Sequence, residues 1–532
     1  MSEMLSSMGT SLNEEEEEDP LSDPNYLQNQ IPLVSRRNFT SPATHNIRQL
    51  LIRCAELVST HSDVTAAQRL VSLISSNASP YGDSTERLVH QFARALSFRL
   101  NQHHLLSHPL GGGNLLRLSR TTTTTNVASI SSTTATPTSL LHQDQMTTGS
   151  GGGGFWVSGA SGGGGGSGGA SAAAANQDLD SEAVESSYLY LNQITPFIRF
   201  SHLTANQAIL EATEGQDCIH ILDFDTKQGL QWPPLMQAIA ERHLVRSSST
   251  SSPPKEKEEE NSESEEPSES NPSPTPTTSS IPPMIRITGT GQDLSTLRRT
   301  GDRLQKFAHS LGLRFQFCPL LIEEEEGLPS SQSPSWVGAA MATGHLPSAV
   351  VPLMPNEALA VNCVHFLHRL LRDNDDDARL FLRAIRAMNP KVVTVAEREA
   401  GHNQPYLQRF VQALDHYTAI FDSLEATLPP NSRERLTVEQ VWFGKEILDL
   451  VAAAEGGDQG RQQRHERTFK TWVELLRASG FSGLPLSPFA LSQAKLLLRL
   501  HYPSEGYQLQ ILNDSIFLGW QDQPLFSVSS WH

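Results

Sequence analysis

Apolar positions recur at two spacings along this chain, and the change from one to the other divides it. In NIRQLLIRCAELVSTHSDVTAAQRLVSLI, the residues Ile47, Leu50, Leu51, Cys54, Leu57 and Val58 return every three or four positions, the period of one helix face. A second helix is predicted over about Ala66 to Ser75. A third covers about Ser84 to Leu100, with Leu88, Phe92, Ala95 and Leu96 on one side. After a long unpatterned stretch, helical spacing resumes in VESSYLYLNQITPFIRFSHLTANQAILEAT. The period then alternates. Apolar runs at Ile219–Asp223, Met284–Thr288, Arg314–Phe317, Ala358–Asn362 and Lys391–Val395 predict strands. Helices are predicted over Pro234–Arg242, Leu294–Leu311, Val364–Arg372 and Tyr406–Tyr417. The end of the chain reads differently: Ala494–His501, Tyr507–Leu512 and Ser515–Trp520 are predicted strands with no helix between them. Asn513-Asp514 is a hairpin turn signal between the last two.

Strands that alternate with amphipathic helices imply βαβ units and a mostly parallel sheet. The expected fold is therefore α/β: a Rossmann-like, methyltransferase-like sheet closed by a C-terminal antiparallel hairpin, with an α-helical cap. Composition sets its limits. Residues 1–43 are polar and acidic, with five glutamates at Glu14 to Glu18, and read as a disordered tail. Residues 107–178 carry threonine, glycine and alanine runs, and 247–281 is rich in Ser, Glu and Pro; both read as disordered insertions, with 326–356 a weaker third. Lengthening a loop from about 10 to about 70 residues costs only about 1.7 kcal/mol, so one domain tolerates such insertions. The expected domain spans 44–532, its cap built from 44–106, about 179–203 and part of 433–456, and its core from about 204–532.

The net charge of −18 argues against strong nonspecific binding to nucleic acid or to an anionic membrane, since both need clustered cations. The four cysteines, Cys54, Cys218, Cys318 and Cys363, are far apart in apolar surroundings and read as reduced thiols, with no zinc spacing. The first residues lack the basic and apolar regions of a secretory signal, and no run of about 20 apolar residues predicts a membrane span.

Candidate chemistry concentrates in CIHILDFDTKQGLQWPPLM, from Cys218 to Met236. An apolar strand ends in Asp223 and Asp225, passes Gly229 and enters a helix, as at a nucleotide site. A working cofactor loop needs several glycines and free N–H groups at the helix start. This one has a single glycine, and Pro233 and Pro234 remove two donors. The second strand ends in Thr288-Gly289-Thr290-Gly291, a GxG after the wrong strand, with Asp293 late for a ribose. The residues Asp223, Asp225, Gly229, Asn362 and Glu397, with Arg398 and Glu399, would ring a vestigial pocket beyond the strand ends. The expectation is no catalytic residue, no metal and no cofactor.

Several motifs in order make the chain resemble the plant GRAS family across nearly all of 44–532. Ile219, His220, Ile221, Leu222 and Asp223 are similar to its VHIID core, flanked by leucine-rich helical regions at 47–106 and 294–371. The segment from Pro405 through HYTAIFDSLEATLPPNSRERLTVEQ is similar to the PFYRE region, without its contiguous letters. The SAW region is matched by RHERTFKTW up to Trp472, LGW ending at Trp520, and Ser529-Ser530-Trp531, with Ser530 where alanine is usual. TPFIRFSHLTANQAILEAT, GLQWPPLMQAIAER and SQAKLLLRLHYPSEGY look closest to the lateral suppressor subgroup of Scarecrow-like members. The resemblance implies a nuclear regulator of transcription that acts through protein partners, often DNA-binding factors, and whose members can pair with each other. For the subgroup it implies a role in initiating axillary meristems.

Other signals have plainer readings beside them. Leu367, Leu370 and Leu371 form an LxxLL match, a partner-docking helix face or the buried face of a helix on the sheet. His220 reads as a satisfied core histidine. Arg461, Arg464, Arg467 and Lys470, with His465, could meet an acidic partner or pair with neighbouring acids, and Arg36-Arg37 is short for an import signal. Trp472, Trp520 and Trp531 read as packing. Two readings stand beside the regulator: a methyltransferase-like enzyme or small-ligand sensor, and a direct DNA binder, which would need a basic recognition helix the sequence lacks.

Overall fold

A computed structural model describes residues 42–60, 63–107, 172–249, 281–322, 351–370, 375–452 and 467–532. Most of the acidic tail and of the two insertions lies outside these residues, as do Arg36-Arg37, Leu371, Arg461, Arg464 and His465. Of the described residues, those from 42 to 103 and from 181 to 532 form one compact unit, and 104–107 and 172–180 belong to another.

Three helices open the fold: α1 (Pro42–Thr60), α2 (Val64–Ser76) and α3 (Ser84–Ser107). Asp63 caps α2 by accepting from the Ala66 N–H. Helix α4 (Ala172–Ile194) and α5 (Pro196–Ala212) follow, so the ends of the expected insertion, at Ser107 and from Ala172, are helical. The alternating part runs β1 (Cys218–Asp223), α6 (Trp232–Ser249), β2 (Met284–Gly291), α7 (Leu294–Ser310), β3 (Arg314–Leu321) and β4 (Ala358–Val364). After a 3-10 turn at Leu367–Leu370 come α8 (Asp376–Ala387), β5 (Val392–Arg398), α9 (Tyr406–Thr427) and α10 (Arg433–Thr437). A π-helical turn, Val438–Phe443, leads into α11 (Gly444–Ala452). The chain ends with α12 (Phe469–Ala478), β6 (Gly483–Leu484), α13 (Pro488–His501), β7 (Tyr507–Leu512), β8 (Ser515–Trp520) and β9 (Gln523–Trp531).

The sheet order is β3-β2-β1-β4-β5-β9-β8-β7, with β6 beside β9. The first five strands are parallel, and β9, β8 and β7 pair antiparallel. This is the expected parallel sheet closed by an antiparallel hairpin, turning at Asn513-Asp514 with both residues at positive φ. Alternation along β1 divides the core. Ile219 and Ile221 pack under α6 and α7 with Trp232, Ile239 and Leu304. Leu222 faces the other layer with Phe381, Trp472 and Leu476 of α8 and α12. A third cluster joins α1 to α5, α9, α11 and α13 to β8 and β9, so helical cap and sheet share one continuous core.

Two predicted elements are corrected. Ala494–His501 is the end of helix α13, capped by the Ser487 hydroxyl on the Ala490 N–H, with Ala490, Ala494 and Leu498 buried at a spacing of four. The helix expected over Val364–Arg372 does not form among the described residues. Val364 ends β4, His365 turns the chain at positive φ (54°), and Leu367–Leu370 makes a single 3-10 turn.

Candidate functional site

The stretch after β1 crosses the carboxyl ends of β1, β2 and β4, where an open α/β sheet holds its ligands. Here the chain's own side chains fill that place. The buried Asp223 carboxylate accepts from Trp232 Nε1 at 2.9 Å and from Asn362 Nδ2 at 2.8 Å. Asn362 exchanges hydrogen bonds with Gln231 at 3.0 and 3.1 Å and accepts from the Thr394 hydroxyl at 2.9 Å. Gln231 also donates to Asn206 Oδ1 at 3.1 Å, which brings in α5. Burial pushes the pKa of Asp223 up to about 7, against the hydrogen bonds from Asn362, Thr226 and Trp232.

The helix start offers nothing to an anion. The Trp232 N–H is spent on the Gly229 carbonyl at 3.2 Å, and Pro233 and Pro234 follow without N–H groups. Gly229 sits at φ +64°, and a Cβ there would lie 2.8 Å from Thr300 Cγ2, so this glycine is required by close packing on α7. At Gly289 a Cβ would lie 2.6 Å from the Phe317 ring and 2.7 Å from Thr226 Oγ1. The GxG at the end of β2 thus serves the approach of the loop and of β3. The cavity among Tyr188, His202, Asp223, Asp225, Lys227 and His365 has a volume of about 20 Å³. That holds one or two waters, whereas small-molecule sites run to roughly 300–1,000 Å³.

Asp225 and Lys227 both stand at positive φ, 70° and 48°, a strained backbone for residues with side chains. What fixes them is a set of contacts with the 3-10 turn after β4 and with the cap. Asp225 receives both guanidinium nitrogens of Arg369, at 2.9 and 3.1 Å, and lies 3.1 Å from Lys227 Nζ. Burial raises its pKa, but the Lys227 and Arg369 cations outweigh this and hold it below the usual carboxylate range. The Lys227 ammonium lies 4.4 Å from the centroid of Tyr188 in α4 and 5.7 Å from that of Trp442 in the π-helical turn. Gln228 donates to Glu185 of α4 at 2.7 Å, and Arg303 of α7 donates to the Gln228 carbonyl at 3.1 Å. The loop is a clamp between sheet and cap.

The other predicted residues separate from it. Glu397 accepts from the Leu367 N–H at 2.7 Å and meets His368 Nδ1 at 2.8 Å, so it caps the 3-10 turn. In that turn Leu367 and Leu370 are buried in the core and present no docking face; the polar pair between them binds largely buried carboxylates, His368 to Glu397 and Arg369 to Asp225. His220 contacts the Thr288 hydroxyl at 2.9 Å and accepts from Arg286 at 3.1 Å; burial first, and Arg286 second, lower its pKa to about 4, so it is neutral. Glu399 accepts from the Ser527 hydroxyl at 2.6 Å and the Phe469 N–H at 3.0 Å. Trp472, Trp520 and Trp531 are buried, and Ser529 and Ser530 lie within β9. Sequence reasoning missed Lys227, Arg369, Tyr188 and Trp442. The one available signal was the density of polar residues in DTKQGLQW, too many to leave unpaired at a strand end.

The sequence profile of the GRAS domain family matches residues 47–133 and 168–532. Scarecrow-like protein 18 of Arabidopsis thaliana is 46% identical over 91% of this chain and 91% of its own length. Protein MONOCULM 1 of Oryza sativa subsp. japonica is 39% identical over 91% of this chain and 88% of its own length. The crystal structure of SCL7 in Oryza sativa aligns with a TM-score of 0.61 at 28% identity, covering 93% of this chain and all of that one.

Proposed function

The chain belongs to the GRAS domain family, and from that premise we propose that it regulates transcription in the nucleus through protein partners, DNA-binding factors foremost, without catalysing methyl transfer. Its similarity to Scarecrow-like protein 18 and MONOCULM 1 supports a role in plant development, and within that the initiation of axillary meristems. One observation supports the non-enzymatic reading above the rest. The place where a Rossmann-like fold holds its cofactor is filled by Asp223, Trp232, Asn362 and Gln231, and the cavity beside them among the described residues measures about 20 Å³. Such a site gives up ligand chemistry and gains a rigid joint, which suits a scaffold that presents its helices to partners.

The test is calorimetric titration of the folded chain with S-adenosylmethionine, with the melting temperature followed in parallel. The expected result is no heat and no thermal shift at millimolar ligand. Micromolar binding weakened by Asp223→Ala would overturn the proposal and restore the enzyme or sensor reading.

A further inference from the structure

Against a net charge of −18, helix α7 carries a strip of cations. Arg299, Arg303 and Lys306 follow one another at intervals of four and three, so they share one face, turned away from the buried Leu297, Leu304 and Ala308. Arg298 flanks the strip and Arg314 continues it at the start of the edge strand β3; all five are exposed. Among the described residues no ion pair neutralises any of them, and Asp302 is the single acid within the run. Their polar contacts are few: Arg299 to the Thr296 hydroxyl, Arg303 to Thr300 and the Gln228 carbonyl, Arg314 to the Pro282 carbonyl.

That last contact lies beside an acidic part of the chain. Pro282 is where the chain re-enters the fold after residues 250–280, and the same stretch leaves from Ser249, at the end of α6, a helix that packs on α7. Between its ends runs EEENSESEEPSE, with Glu258, Glu259, Glu260, Glu263, Glu265, Glu266 and Glu269 and no cation among them. The 31 residues from 250 to 280 can span at most about 100 Å, and the 17 residues of α7 span about 25 Å, so chain length lets 258–269 reach the strip. The acids are therefore tethered on both sides to described residues, Ser249 and Pro282, and any contact they make with the strip is intramolecular.

We infer that the acidic stretch 258–269 is the ligand of the α7 basic face, and that this face is taken up in cis before any acidic partner or phosphate backbone can use it. The interaction is electrostatic and solvent-exposed, so salt weakens it as the screening length falls from about 8 Å at physiological ionic strength to about 3 Å at 1 M.

Carbodiimide cross-linking of the full chain followed by peptide mass spectrometry tests this, because the reagent joins a lysine amine to a carboxylate in direct contact. Lys306 is the lysine of the strip; Lys255 and Lys257, just before the acidic stretch, serve as internal controls. The expected product links Lys306 to a glutamate between 258 and 269. It forms within one chain in a mixture of light and isotopically heavy protein. It falls at least fivefold in 1 M salt and in Arg298→Glu/Arg299→Glu, whose melting temperature should match the parent. Control links without any Lys306 link, or Lys306 links only between chains, would overturn the inference.

Discussion

At the scale of single residues, Asp223 carries the most consequence. Asp223→Ala strands the indole N–H of Trp232 and takes one acceptor from Asn362, both buried. A buried donor left without an acceptor costs about 1–3 kcal/mol, so a denaturant titration should show a loss of about 2 kcal/mol. The pH dependence has a definite sign. The folded pKa of Asp223, about 7, lies above the ordinary aspartate value of 3.8, so between those pH values the folded chain holds the extra proton. Its contribution to stability is therefore present below about pH 4 and lost as pH rises toward 7. The buried His220 and His202, lowered to about 4 and about 3, act in the opposite sense across the acid range. The Asp223 effect is thus read as a difference: the advantage of the native chain over Asp223→Ala should shrink from pH 4 to pH 7, and a constant difference would contradict the assignment. The sequence showed Asp223 and Asn362 at one end of the sheet. It did not show that they bond to each other, because a pocket rim and a closed network use the same polar residues.

At the scale of elements, β9 is decisive. It lies between β5 and β8, so removing residues 521–532 takes an interior strand out of the sheet and separates β7 and β8 from the parallel half. The truncated chain should lose its cooperative melt, and one that melts like the full chain would contradict this. Leu367→Ala, in the 3-10 turn, should cost about 2–5 kcal/mol as a core truncation, measured by the same denaturant midpoint; a surface-like loss below about 0.5 kcal/mol would contradict the burial of the LxxLL leucines. The parallel strands were legible because each is a short apolar run between helices. One misread element and one unmarked strand have physical reasons. In α13, exposed Leu496 and Leu500 beside buried Leu498 mimic a continuous strand, while the deciding signal, Ser487-Pro488 as a helix start, lies outside the apolar run. β9 was not marked as a strand, because its buried Ser527, Ser529 and Ser530 read as loop until Glu399 and neighbouring backbone are seen to satisfy them.

At the scale of the whole molecule, distant parts of the chain build the cap. Arg87 of α3 and Glu439 of the π-helical turn form a buried pair at 2.8 Å across 352 positions of sequence. Removing one partner of such a pair costs about 3–5 kcal/mol, so Arg87→Ala should lower the melting temperature by several degrees more than the exposed Arg53→Ala. No local pattern could have shown this pair, or the loop's grip on Tyr188 and Trp442, since both join residues whose proximity exists only in the folded chain. The central claim is that the stretch after β1, shaped like a cofactor loop, is a joint between sheet and cap. Amide hydrogen exchange on the native chain and on Lys227→Met tests it most directly. If the loop is the joint, exchange should speed up together in residues 224–231, in α4 around Tyr188 and in the turn around Trp442, with β1 and β4 unchanged. If only 224–231 opens while the cap keeps its native exchange, the loop does not hold the cap and the claim fails.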